Sequence, residues 1–428
     1  MATFHLRNFG CRANQADGAA LSERLRQSGL TPAAEEAADW IVLNTCTVTG
    51  EADAEARRVI RRLRTARPRA RIAVTGCYAE RAPEELHRLP GVEVVAGHAA
   101  QWDLGAQLLP PESLAPAAKL ANLAWLETPP ADRTRAVVKV QEGCGRACSF
   151  CIIPQVRGGS RSRPLGSVLA QIAALVKAGQ QEIVISGINL GQWGRDLESK
   201  LRLEHLVAAL LEQTAAPRLR LSSVEPMDWS AGLTALMAAE PRLARHAHLP
   251  LQSGSDTVLR RMRRRYRAGD YAARVEALAA AVPLVAIGAD VMTGFPGETD
   301  AEHAGTLALV ERLPLAYLHV FPYSERPGTE SAREVAAGRW RAVPAAVSAA
   351  RAAELRRLGA DKQQAFLDRL VGTTLPALTL RGGQALTDNY VTVSLAMPAP
   401  APGMLVRVRG EGRVGGKLTG VIAPAPAA

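Results

Sequence analysis

The stretch KVQEGCGRACSFCIIP, residues 139–154, decides how this chain is read. It places three of the six cysteines of a 428-residue sequence within eight positions, as Cys144, Cys148 and Cys151. The run AVVKVQ (136–141) leads into it with strand-like character, so the cysteines open a loop at a strand end. Five further candidate strands follow before residue 325: EIVISG, RLRLSS, HAHLPL, VAIGADV and YLHVF. Each but the last precedes a helical pattern, which predicts a central partial (β/α)6 barrel. Such folds carry their chemistry where the strands end, and the cysteine loop sits there.

Upstream, residues 3–108 alternate short apolar runs (FHLRNF, WIVLN, RIAVT, VEVVAG) with amphipathic segments such as 17–28 and 51–66. This is the pattern of an N-terminal parallel-sheet α/β domain. Cys11, Cys46 and Cys77 each stand just past the end of one of these strands. Parallel strands all point one way, so residues some thirty positions apart converge on one sheet edge. A lone cysteine reads as a buried thiol, but three at the same topological point read as a soft metal site. Downstream, a long Ala- and Arg-rich helix is expected at 343–370. TLPALTL, NYVTVSLA, MLVRVRG and KLTGVIA, separated by Gly and Pro, then predict a small C-terminal all-β barrel. The proline-flanked stretch 110–134 reads as a linker.

Bulk properties narrow the class. With 47% hydrophobic and 22% charged residues the chain is a globular protein, and no run of about 18 apolar residues exists to span a bilayer. The opening MATFHLRNFG lacks a basic region followed by an apolar core, so a cytoplasmic location and no membrane partner are expected. In that compartment six cysteines point to metal or catalysis over disulfides. The net charge of +11 favours a polyanionic partner.

The loop CGRACSFC leaves two centres open. A structural zinc takes four protein ligands, and the histidines nearest in sequence are His98 and His205. A [4Fe–4S] cube held by three cysteines leaves one iron free to bind a reactant.

CxxxCxxC with Phe150 before its last cysteine resembles the radical S-adenosylmethionine (SAM) enzymes. GCRANQAD (10–17), LNTCTVT (43–49), GCYAE (76–80) and PQVRGGSRSRP (154–164) narrow the resemblance to the methylthiotransferases. LRLSSVEP (219–226), HLPLQSGSDTVLRRM (248–262), DVMTGFPGET (290–299) and PYSERPGT (322–329) follow in that family's order, and LTDNYVTVSL (386–395) resembles its small RNA-binding TRAM domain. Gln155 and Glu80 depart from it, standing where tyrosine and glutamine are common.

The resemblance implies four segments: a methylthiotransferase domain (1–110), a linker (111–132), a radical SAM domain (133–365) and a TRAM-like RNA-binding domain (366–428). NTCTVT with EADAEARR looks most like the MtaB type, the branch that modifies N6-threonylcarbamoyladenosine in tRNA. The branch acting on N6-isopentenyladenosine, and the one acting on a ribosomal-protein aspartate, are the alternatives. A non-catalytic RNA-binding iron–sulfur redox sensor is a fourth. The implied reaction puts a methylthio group on carbon 2 of an adenine just 3′ of the anticodon, a C–H that positioned acids and bases cannot break. Two [4Fe–4S] clusters and SAM are implied. Cys144, Cys148 and Cys151 would hold the cluster at which SAM is reduced to a 5′-deoxyadenosyl radical; Cys11, Cys46 and Cys77 would hold the cluster carrying the sulfur.

Gly187, Glu225, Gln252 and Ser253, at or just past strand ends, are candidate SAM contacts. Arg57, Arg61 and Arg64 share one helical face, with Val59, Ile60 and Leu63 turned inward. Together with Arg263 and Arg264 of LRRMRRRYR (259–267) they are candidate contacts to a tRNA anticodon stem-loop. A reducing electron-donor protein is an expected partner, and the chain is expected to act as a monomer.

Overall fold

A computed structural model describes residues 2–110 and 134–424, and the linker expected at 111–132 lies outside the described residues. Two compact units result. Residues 2–110 with Lys139–Arg161 and Ser324–Ala332 form one; residues 134–138, Ser162–Tyr323 and 333–424 form the other.

The first unit is built on strands β1 (Thr3–Asn8), β2 (Thr31–Pro32), β3 (Trp40–Thr45), β4 (Arg71–Gly76) and β5 (Val92–Ala96), in the order β2-β1-β3-β4-β5 and parallel throughout. The two-residue edge strand β2 was not expected, being too short to show a pattern. β3 is buried at all six positions. Its Ile41 and Leu43 face Ile60 and Leu63 of helix Gly50–Ala66, while Trp40 and Val42 pack with Leu21 and Leu25 of helix Arg12–Gln27. A strand covered on both faces is apolar without alternation, as WIVLN is. Helix Gly50–Ala66 starts where Thr49 Oγ1 accepts from the Ala52 amide (3.2 Å) and Glu51 and Asp53 meet the positive end of the dipole.

In the second unit β6 (Ala136–Glu142), whose first residues belong here, stands in the order β7-β6-β8-β9 with β7 (Arg161–Ser162), β8 (Ile183–Gly187) and β9 (Leu219–Leu221). β10 (His246–His248), β11 (Ala286–Thr293) and β12 (Tyr317–Pro322) form a parallel trio, and parallel bridges at Leu219–Leu243 and Ser223–His248 carry the order on from β9. β6 and β8 to β12 are the six strands of the expected partial barrel, and the two-residue β7 was not expected. HAHLPL gives a ladder of only three residues: Pro250 has no N–H to donate, and Gln252 turns the chain with φ +65°.

The expected long helix runs from Ala345 to Asp368. The C-terminal residues close into a barrel of β13 (Thr374–Leu380), β14 (Gln384–Thr387), β15 (Thr392–Leu395), β17 (Lys417–Ile422) and β16 (Leu405–Val414), in that spatial order. β14 was not expected as a separate strand. Leu375, Ala377, Val393, Val408 and Leu418 of this barrel share a core with Phe366 and Leu370 and with Ala286 and Ala316 at the starts of β11 and β12. No described helix is long and apolar enough to cross a membrane.

Candidate active site and its cysteine centres

Because β1, β3 and β4 are adjacent, and Asn8 pairs with Asn44 and Thr45 with Gly76, the residues that follow these strands emerge at one sheet edge. There the structure brings Cys11, Cys46 and Cys77 together. Gly10 turns with φ +80°, and a side chain in its place would put Cβ 2.5 Å from Cys46 Cβ and 2.8 Å from its Sγ. Cys77 opens the short helix Cys77–Arg81. Cys11 is exposed, whereas Cys46 and Cys77 are buried. Burial pushes the Cys77 thiol up to about 12, with Arg157 pulling the other way, and raises Cys46 as well. Thiols so raised are poor free nucleophiles.

The loop of Cys144, Cys148 and Cys151 belongs to the same unit. Gly143, at φ +67°, admits the close approach of Gly159 O, 2.0 Å from where a Cβ would stand. The Cys144 amide donates to Gly158 O (3.0 Å), and the Cys151 amide donates to Cys148 O (3.1 Å). All three cysteines are half-buried. Ile152 and Val156, just past the loop, pack directly on Cys77, so the segment leaving the loop lies against the upstream group. The segment 324–332 straps them from outside: the Ser331 amide donates to Ser149 O (2.8 Å), and Gln155 Nε2 donates to Gly328 O (2.8 Å).

Sequence reasoning missed what lies between the groups. Arg157, fully buried, donates from Nε to Cys77 Sγ (3.0 Å) and from Nη1 to Asp17 (2.9 Å) and Glu142 (3.1 Å), and Nη2 donates to Asn14 Oδ1 (3.0 Å). Lys139 is paired with both Asp17 and Glu142. Glu142 Oε1 accepts from the Gly143 amide (2.9 Å), and His98 Nε2 lies 3.5 Å from Oε2. Burial alone would raise the Glu142 carboxyl; the Lys139 charge outweighs it and holds the group well below the carboxylate range. The signal was present as Lys139 and Glu142 inside a strand buried along its last five residues.

Six cysteines outside disulfides, in two groups of three, with donors aimed at sulfur, are a donor set suited to thiolate-bound iron–sulfur centres. For SAM, Gln252 suits a ligand: it is 7% exposed, its backbone is held at φ +65°, and its buried Oε1 has no hydrogen-bond partner. Gly187 ends β8, half-buried. Ser253 is fully buried, and its hydroxyl accepts from the Ser255 amide (3.2 Å), so it braces the turn.

Three of the expected contact residues are engaged by other side chains. Glu225 and Arg264, assigned from sequence to SAM and to RNA, are ion-paired with each other, and the Arg264 side chain is only 4% exposed over the Tyr266 ring. Arg57 is drawn to Glu85 (2.8 Å) and the Tyr78 hydroxyl (2.7 Å). Arg61, Arg64 and Arg263 remain exposed.

Residues 3–97 match the Uncharacterized protein family UPF0004, and residues 138–310 match the Radical SAM superfamily. The chain is 38% identical to the threonylcarbamoyladenosine tRNA methylthiotransferase MtaB of Bacillus subtilis, covering 78% of this chain and 76% of that protein. It is 33% identical to the tRNA-2-methylthio-N(6)-dimethylallyladenosine synthase of Cereibacter sphaeroides over 97% of this chain and 98% of that one. Among solved structures it resembles the radical SAM methyltransferase TsrM of Kitasatospora setae, with TM-score 0.56 and 15% identity over 79% and 78% of the two chains, a likeness of fold.

Proposed function

The chain belongs to the radical SAM tRNA methylthiotransferases, and from that premise we propose that it places a methylthio group on carbon 2 of N6-threonylcarbamoyladenosine, next to the anticodon of tRNA. The observation that carries this reading is that both cysteine trios belong to one unit, with Ile152 and Val156, just past one trio, packed on Cys77 of the other. A chemistry that needs a carbon radical and a sulfur source side by side calls for two adjacent centres.

Cys144, Cys148 and Cys151 would hold one [4Fe–4S] cluster and Cys11, Cys46 and Cys77 a second. When bound, the clusters and SAM would supply the one-electron chemistry and the methylthio sulfur that no side chain can supply. The chain's own residues bind and orient. Arg157 fixes Cys77, Gln252 offers SAM an unpaired amide oxygen, and Arg61, Arg64 and Arg263 offer phosphate contacts. The closed C-terminal barrel is read as the RNA-binding module. An electron-donor protein and a cytoplasmic setting belong to the same reading, since the substrate is tRNA.

Oxygen-free, reconstituted protein should bind close to two cubes of iron and sulfide per chain. With reductant, SAM and tRNA carrying threonylcarbamoyladenosine it should yield the methylthio nucleoside by mass spectrometry. Product only from isopentenyladenosine tRNA would move the chain to the other branch. No 5′-deoxyadenosine at all would leave the RNA-binding redox protein.

A further inference from the structure

Strands β10, β11 and β12 bring three metal-ligating side chains to one point. The register pairs Asp290 with His319, and His248 with Gly288 two residues before Asp290, so all three side chains leave the same face of the parallel trio. The long helix covers the opposite face, where a Cβ at its Gly359 would lie 3.1 Å from Leu318 Cβ. His248 Nε2 and His319 Nδ1 stand 2.9 and 3.3 Å from Asp290 Oδ1, and the three donor atoms lie within 4.8 Å of one another. Ligands set tetrahedrally around a zinc at about 2.0–2.1 Å are themselves about 3.3 Å apart, so these donors are close to the spacing of a shared coordination sphere.

Charge decides what belongs there. Every described Asp or Glu that is buried outright has a Lys or Arg partner, as Glu182 has Arg220, Asp228 has Arg195 and Glu298 has Arg351. Asp290, with its side chain 24% exposed, has none: its carboxylate is paired only with the two imidazoles, both at Oδ1. Imidazole is mostly neutral at pH 7. A divalent cation supplies the missing positive charge and binds neutral imidazole nitrogen directly. Two nitrogens and one carboxylate oxygen suit zinc, whereas magnesium and calcium take oxygen.

His248 is oriented for this task. Its Nδ1 lies 3.0 Å from the Tyr317 hydroxyl, which also stands 2.8 Å from His246 Nε2, so His248 Nε2 is left aimed at Asp290. Metal-binding histidines are commonly fixed through their second nitrogen in this way. The Tyr317 ring lies across Gly288, where any Cβ would stand 2.1 Å from it. Side-chain exposure rises from 6% at His248 to 61% at His319, so the cluster opens on the His319 side.

The geometry points to His248, Asp290 and His319 as the three protein ligands of a divalent ion of the zinc class, with a further coordination position toward solvent on the His319 side. The site lies wholly within the second unit and shares no residue with the cysteine trios, so it does not depend on the function proposed above.

Full-length protein with its clusters reconstituted is incubated with excess zinc, freed of loose metal by gel filtration, and assayed for zinc and iron and by zinc K-edge X-ray absorption. Native protein should retain close to one zinc per chain, with a first shell of nitrogen and oxygen at about 2.0–2.1 Å. His319→Ala, at a largely exposed position, and Asp290→Asn should each lose most of that zinc with iron unchanged. Tyr317→Phe keeps all three ligands and should weaken zinc about 10- to 100-fold in competition with a chromophoric chelator. Native protein that retains no zinc, zinc with sulfur neighbours, or native retention in both ligand variants would each overturn the site.

Discussion

Glu182 should be worth about 3 kcal/mol to the fold, and its contribution should have a defined pH window. The carboxylate is fully buried. Arg220 donates to it from Nε (2.9 Å) and Nη2 (3.1 Å), Arg218 Nε lies 2.6 Å away, and Arg135 Nη1 3.5 Å away. Arg220 also donates to Asp388 O (2.8 Å) and Thr387 O (3.0 Å), and Arg218 to Leu386 O (3.1 Å), so Glu182 holds two arginines that grip the turn after β14. Burial would raise Glu182, but Arg220 and then Arg218 outweigh it and lower it from 4.5 to about 2. A lowering of that size corresponds to about 3 kcal/mol, in line with the ~3–5 kcal/mol typical of breaking a buried pair. A depressed folded pKa stabilises fully above the unfolded value and is lost as pH falls from about 4.5 through about 2. Urea unfolding of native and Glu182→Gln protein, followed by tryptophan fluorescence, should differ by about 3 kcal/mol at pH 7 and by roughly half that at pH 3. A difference below about 1 kcal/mol at pH 7, or one unchanged at pH 3, would refute the assignment of the shift to this charge cluster.

Gly10→Ala forces a Cβ against Cys46 at a left-handed φ, so the reconstituted protein should keep about half the native iron, with the loss at the upstream trio. Arg61→Ala and Arg64→Ala should each reduce the salt slope of tRNA binding by about 0.7–0.9. Arg57→Ala should leave that slope unchanged and cost at most about 1 kcal/mol of stability, as befits a partly exposed pair with Glu85. Arg157→Met should destabilise the first unit by about 3–5 kcal/mol in urea unfolding, because Asp17 would keep only Lys139, which Glu142 shares.

What the sequence disclosed followed from periodicity and position. Cys11, Cys46 and Cys77 could be put at one edge because parallel strands share a direction, and WIVLN read as a central strand because both its faces are covered. The barrel strands were legible for the same reason. β2, β7 and β14 escaped because two or four residues carry no period. Partner choice escaped for a different reason: a charged side chain in a sequence looks solvated until the fold brings its counter-ion from afar. Glu225 and Arg264 are 39 positions apart, Asp17 and Arg157 are 140, and Asp290 reaches histidines on two other strands. The candidate cysteines, defined by local spacing, were readable; the charges that orient them were not.

The network around Arg157 gives a physical reason for two cysteine trios to occupy one unit. Asp17, Glu142, Lys139 and Arg157 carry two charges of each sign, so the buried group is neutral as a set and unstable in any part. Its members come from the helix after Cys11, from the strand leading to Cys144 and from the segment after Cys151, and one of them donates to Cys77. None of these segments can shift alone without stranding a charge. The spacing between the trios is thus held by electrostatics as well as by the packing of Ile152 and Val156 on Cys77. Such rigidity would suit the proposed reaction, in which a substrate carbon activated near one trio meets sulfur held at the other, because a misplacement of about 1 Å can cost on the order of a hundredfold in rate.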